Sequence, residues 1–290
     1  MGMQINTNIA ALNSYRNLSS TQNDLSKSLE KLSSGLRINR AADDAAGLSI
    51  SEGLRSQING LGVASRNAQD GISVIQTAEG ALTEVHSILQ RMRDLAVQGA
   101  NDSNNADSRA AIKNEADQLG AELSRITEST NFNGINLFQA SATTGPASLS
   151  FQVGAEGDAA STISVDMLDL ATAVNGVTGG TAGTLGTDAA NFDVTDAATA
   201  QATVELIDTA IKNVSVGRSE LGANQNRMES AINSLAVSKE NLTAAESRIR
   251  DTDMAAEMVN YTRSNILSQA GTAMLAQANQ SNQGVLQLLG

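Results

Sequence analysis

The chain has 290 residues and a net charge of −12, from 19 Lys and Arg against 31 Asp and Glu. No Lys/Arg cluster is present to contact phosphates, which argues against nucleic-acid binding, and no apolar run reaches the roughly 18 residues that spanning a membrane requires. Cysteine is absent, so there are no disulfides or thiolate metal ligands, and the lack of Trp, with only two Tyr and four Phe, argues against a thick globular core.

The single proline is Pro146, where average usage of about 5% would give roughly fifteen, so long uninterrupted helices are favoured. In the first segment, residues 1 to 40, an apolar stripe runs through Ile5, Ile9, Leu12, Tyr15, Leu18, Leu25, Leu29, Leu32 and Leu36 and predicts an amphipathic helix. Its start lacks the basic residues and apolar run of a secretory signal. Gly2 follows Met1 as in a myristoylation site, but Asn6 stands where Ser or Thr is needed.

Seven-residue spacing then takes over at Leu54, Leu61, Ala68, Ile75, Leu82, Leu89 and Ala96, with Ile58 and Ile72 beside it. Side chains seven apart share one helix face and form a coiled-coil-like seam. After the turn-rich Gly99-Ala100-Asn101-Asp102, a third helix over Ser108 to Thr130 places Ile112, Ala116, Leu119, Leu123 and Ile126 on one side. Asn133-Gly134 signals a turn. The middle, 141–198, is rich in Gly, Thr, Ala and Asp; alternation at Leu149, Phe151, Val153 and at Ile163, Val165 predicts a β-hairpin followed by loops.

A second unbroken seven-residue series follows at Ile207, Val214, Leu221, Met228, Leu235, Leu242 and Ile249, flanked by Val204, Ile211 and Ile232. Both long helices should run about 70–80 Å at 1.5 Å per residue. The last segment offers Met254, Met258, Tyr261, Ala270, Met274 and Ala278, and ends on Val285, Leu286, Leu288 and Leu289. Stripes of this kind stay wet unless another helix covers them, and each buried Leu is worth about 1.5–3 kcal/mol, so the two ends are natural partners.

The catalytic inventory is thin. The one histidine, His86, falls in the seven-residue register of Ile58 and Ile72 and reads as structural. Gly47-Leu48-Ser49-Ile50-Ser51 lacks the second glycine of a nucleophile elbow. Asp43-Asp44 and Asp251-Thr252-Asp253 lack the spacing of a calcium loop and fit helix capping at breaks between segments. No enzyme activity, metal or cofactor is expected.

At residues 31–51, KLSSGLRINRAADDAAGLSIS, the sequence resembles bacterial flagellin, the subunit of the flagellar filament. Gln4-Ile5-Asn6-Thr7-Asn8, residues 89–98 (LQRMRDLAVQ), Phe132-Asn133-Gly134, Phe151-Gln152-Val153-Gly154-Ala155 and Val285-Leu286-Gln287-Leu288-Leu289 are also similar to that family. The chain departs from it in its Met1-Gly2-Met3 start and its Leu289-Gly290 end.

The resemblance implies a mainly α fold: an elongated coiled-coil or bundle rod of terminal helices plus a three-helix outer domain, with a small β-hairpin region. Its domains would be an inner filament-core domain at 1–43 and 253–290, an outer helical domain at 44–140 and 199–252, and a short variable segment at 141–198. It implies a secreted structural subunit, exported by the type III route, that self-assembles into the extracellular filament used for swimming. Its partners would be further copies of itself, an export chaperone, and the cap and hook-junction proteins. Subunit packing falls to Ile5, Ile9, Leu12, Leu18, Leu25, Leu29, Leu32, Leu36, Met258, Tyr261, Met274, Val285, Leu286, Leu288 and Leu289. Residues matching Gln90, Arg91, Arg93, Leu95 and Glu115 contact Toll-like receptor 5 in flagellins sensed by animals. A junction or cap-adjacent protein of the same apparatus is one rival reading, separable because it should stop growing after about one layer, and an intracellular coiled-coil scaffold unrelated to motility is another.

Overall fold

The structure, a computed structural model, describes residues 8–138, 148–179 and 189–289, with side chains described as far as residue 280. Ile5 lies outside the described residues, as do the side chains of Val285, Leu286, Leu288 and Leu289. The chain divides into two compact units, residues 1–58 with 240–290, and residues 59–239.

Among the described residues six α-helices carry the fold: α1 (Ile9–Ser34), α2 (Ala45–Gly99), α3 (Ala106–Ser129), α4 (Leu170–Thr178), α5 (Ala197–Arg250) and α6 (Met254–Leu289). None is long and apolar enough to cross a membrane among the described residues. Each begins at an Asn or Asp whose side chain accepts amide hydrogens of the first turn: Asn8, Asp44, Asn105, Asp169, Asp196 and Asp253. A short acceptor there satisfies amides that the helix leaves unpaired. The Asp44 and Asp253 carboxylates are thus caps, 2.9 Å from the amides of Gly47 and Ala255.

In the 59–239 unit, Ala68, Ile75, Ala78, Leu82, Val85, Leu89 and Met92 of α2 form one buried line. It packs in a single cluster with Ile112, Ala116 and Leu123 of α3 and Ile207, Val214, Leu221 and Met228 of α5. Most of this line is the seven-residue seam read from the sequence; Leu54, Leu61, Leu242 and Ile249 are only half-buried. Gly71 lets the helices close up, since a Cβ there would lie 2.8 Å from the Met228 sulfur.

Among the described residues this unit also holds two small antiparallel ribbons. β1 (Asn131–Phe132) and β2 (Ile135–Asn136) turn at Asn133 and Gly134, both with positive φ, 51° and 80°. That turn matches the twist of paired strands and suits an Asn-Gly pair. β3 (Ser148–Gln152) pairs with β4 (Thr162–Asp166), Leu149 opposite Val165 and Phe151 opposite Ile163. The segment after it, expected to be loop, contains α4, which buries Leu170, Ala171, Val174, Val177 and Thr178 on one face.

In the other unit, the linkers joining the helices clasp each other. Leu36 bridges Asp251, the Arg37 amide donates to the Arg250 carbonyl at 2.6 Å and the Thr252 amide to the Gly35 carbonyl at 3.0 Å. Arg250, 8% exposed, donates to Glu52 at 2.7 Å. Gly35 ends α1 with φ 73°, where its amide reaches the Lys31 carbonyl. Asp43 closes the following turn, accepting from the amides of Arg40 at 3.0 Å and Asn39 at 3.2 Å.

Those two bonds, Arg40 first, hold the Asp43 carboxyl below its ordinary range. A depressed carboxylate stabilises fully above its unfolded value and loses that effect as pH falls through the folded one. The Arg40 and Asn39 amides should therefore lose hydrogen-exchange protection in acid, and Asp43→Ala should remove it at neutral pH. Protection that survives the substitution would contradict this.

Candidate assembly surface

α1 and α6 pack against each other in antiparallel fashion, with Asn8 donating to the Ala278 carbonyl at 2.9 Å at one end and the linker clasp at the other. A covered stripe of α1 runs through Ala11, Ser14, Leu18, Thr21, Leu25, Ser28 and Leu32, and one of α6 through Glu257, Tyr261, Ser264, Ser268, Gly271, Leu275 and Ala278. Both series alternate steps of three and four, the spacing of a coiled-coil seam. Small side chains predominate and allow close approach: a Cβ on Gly271 would sit 3.2 Å from Leu18 Cδ1.

A two-helix pair covers one stripe of each helix and no more. On α1 the uncovered side carries Ile9, Leu12, Tyr15 and Leu29; on α6 it carries Met254, Met258, Val259, Ile266, Leu267 and Met274, all between 48% and 63% exposed. The single stripe expected on α1 is therefore two faces. Leu18, Leu25, Leu32 and, on α6, Tyr261 belong to the seam, whereas Ile9, Leu12, Leu29, Met258 and Met274 point away from it. Leu36 lies beyond the helix end, in the clasp.

Val259, Ile266 and Leu267 were not legible as a surface from the stripe alone. The signal was present in Val259 and Ile266, one heptad apart, with Met258 and Leu267 beside them. With Thr262 and Arg263, these four line one shallow groove on α6.

The candidate receptor residues lie in the 59–239 unit. Arg91 crosses from α2 to α3, where its Nε donates to Glu115 at 2.9 Å. Arg93 crosses instead to α5 and donates to Asp208 at 2.6 Å. The two arginines flank the buried Met92 and reach different neighbours, so Glu115 joins Arg91 but not Arg93. Such exposed pairs contribute about 0–1 kcal/mol, so they orient side chains more than they stabilise the fold. Gln90 is exposed and bonds His86 at 2.9 Å. Leu95 is 2% exposed and packs in the core, so it offers a partner no surface. His86 is half-buried, its Nε2 facing Gln90 and its Nδ1 buried without a partner.

Among the described residues no group of three His, Cys, Asp or Glu is placed to hold a metal ion. The outstanding chemistry is apolar: two paired helices with bare outer faces. Such features are those of a subunit with apolar surface left for another protein to cover.

Residues 5–143 match the family model of the bacterial flagellin N-terminal helical region, and residues 204–289 that of the C-terminal helical region. The chain is 52% identical over 287 residues to flagellin of Halalkalibacterium halodurans, covering 99% of this chain and 100% of that one. It is 51% identical over 305 residues to flagellin of Bacillus subtilis, again covering 99% and 100%. The fold is shared with a candidate flagellar hook-associated protein from Vibrio parahaemolyticus, with TM-score 0.58 over 72% of this chain and 100% of that one. At 16% identity that likeness speaks for the fold alone.

The chain belongs to the bacterial flagellin family. It is a structural protein of the flagellar filament and not an enzyme.

Proposed function

We propose that the chain builds the filament by burying the outward faces of α1 and α6 against other copies, while the seam between these helices is satisfied within each subunit. One observation supports this reading above others: large apolar side chains on both helices remain about half-exposed after the helices have paired. The packing role that the family resemblance gives Ile5, Val285, Leu286, Leu288 and Leu289 lies outside the described side chains. The inner domain then comprises 1–43 and 253–290. The subunit leaves the cell by the type III route, with an export chaperone covering the C-terminal stripe, and is received by hook-junction and cap proteins.

The test is seeded growth. Purified chain should elongate sheared filament fragments without limit; growth that stops after about one layer would assign it to the hook junction instead.

A second role belongs to the released monomer. Gln90, Arg91, Arg93 and Glu115 would contact Toll-like receptor 5 in this role, Gln90, Arg91 and Glu115 being exposed, Arg93 half-buried and Leu95 in the core. Arg91→Ala with Arg93→Ala is expected to weaken receptor signalling by monomer at least about tenfold, the worth of one or two charge-assisted contacts. A dose–response in receptor-expressing reporter cells checks this, and an unshifted curve would remove the role.

A further inference from the structure

Charge is unevenly divided between the two units. Residues 1–58 with 240–290 carry nine Lys and Arg and ten Asp and Glu, a net −1, so −11 of the chain's −12 rests on residues 59–239. A near-neutral unit can be packed densely among copies without long-range repulsion. Neutrality must also hold locally, because a charge enclosed in an apolar contact needs its own counter-charge within hydrogen-bonding reach.

That demand is sharpest at Arg263. After Glu257 it is the sole charged residue of α6, and it is exposed in the groove lined by Met258, Val259, Ile266 and Leu267. It has no ion pair or side-chain hydrogen bond among the described residues, and its groove holds no carboxylate. Covering the groove would strip water from the guanidinium and leave it unpaired unless the covering surface brings an acid.

The two terminal helices carry three carboxylates, Asp24, Glu30 and Glu257. Glu30 already accepts from Arg40 at 2.8 Å. Glu257 is partly covered on the α1–α6 seam, in the first turn of α6, where the helix dipole favours it. Asp24 is exposed on α1 and has no partner among the described residues.

We propose that in the polymer Arg263 of one subunit pairs with Asp24 of a neighbouring subunit, and that this pair fixes the register in which α1 of one copy lies across the α6 groove of another. The inference rests on the reading that the outward faces meet further copies. Within that reading it assigns the charge that specifies how they meet, since apolar contact alone is tolerant of sliding and a buried ion pair is not.

The test uses full-length chain in seeded elongation followed by electron microscopy, with Arg263→Asp, Asp24→Arg and the two combined. Each single substitution should slow elongation at least about tenfold, and the combination should return it to within about threefold of the unsubstituted rate, the signature of pairwise coupling. Elongation at the unsubstituted rate by Arg263→Asp, or a combined variant no faster than either single one, would overturn the pair while leaving the apolar reading intact. Failure of the unsubstituted chain to elongate seeds at all would instead defeat that underlying reading, and the pair with it.

Discussion

Met258→Asp combined with Ile266→Asp is expected to stop seeded elongation, lowering its rate more than about a hundredfold, while the helical content of residues 59–239 stays unchanged. Both side chains are more than half exposed in the subunit, 51% and 61%, so the substitutions cost the isolated chain little. In the polymer they would place two carboxylates in an apolar contact, and an unpaired buried charge costs several kcal/mol, where each 1.4 kcal/mol is a factor of ten. Elongation by the double variant at an undiminished rate would show that this face of α6 is solvent-facing in the assembly.

The opposite balance holds at Leu82. It is fully buried in the line that joins α2 to α3 and α5, so Leu82→Ala leaves a cavity that the surrounding helices fill only in part. Losses at such sites are about 2–5 kcal/mol, and for a unit of this size each kcal/mol moves the midpoint about 2–4 °C. Thermal unfolding of depolymerised chain, followed by circular dichroism, should fall by about 5–15 °C, whereas Ile266→Ala should leave that transition in place. Equal shifts for the two variants would contradict the division between an internal core and an external face.

The long seams were legible because α2 and α5 bury their stripes within one unit: Ile75, Leu82 and Leu89 on α2 and Ile207, Val214 and Leu221 on α5 repeat every seven residues and are all buried. The α1–α6 pairing was less so. Its seam uses Ser14, Thr21, Ser28, Ser264, Ser268 and Gly271, which a hydrophobic pattern passes over, while its bare side carries the conspicuous Ile, Leu and Met. Apolar periodicity reports that a face is to be covered, not whether the same chain covers it.

Helix α4 was missed for a different reason. Leu170, Ala171, Val174, Val177 and Thr178 have helical spacing, but the stretch is only nine residues and contains Asn175-Gly176, so local composition favoured a loop. Tertiary burial overrode that preference. Leu95 shows a limit of motif reasoning: residues 90–95 are contiguous in sequence, yet helical turn sends Gln90 and Arg91 outward and Leu95 into the core. Nor could Arg91 and Glu115, 24 residues apart on separate helices, be paired from spacing alone.

The central claim, that the outward faces of the terminal helices are buried between subunits, can be read from methionine oxidation. Met254, Met258 and Met274 are exposed in the subunit, whereas Met92 and Met228 are fully buried. Brief peroxide treatment of polymer, followed by mass spectrometry of the sulfoxides, should find Met258 and Met274 as protected as Met228. Oxidation of both in polymer at the rate of dispersed chain would contradict it.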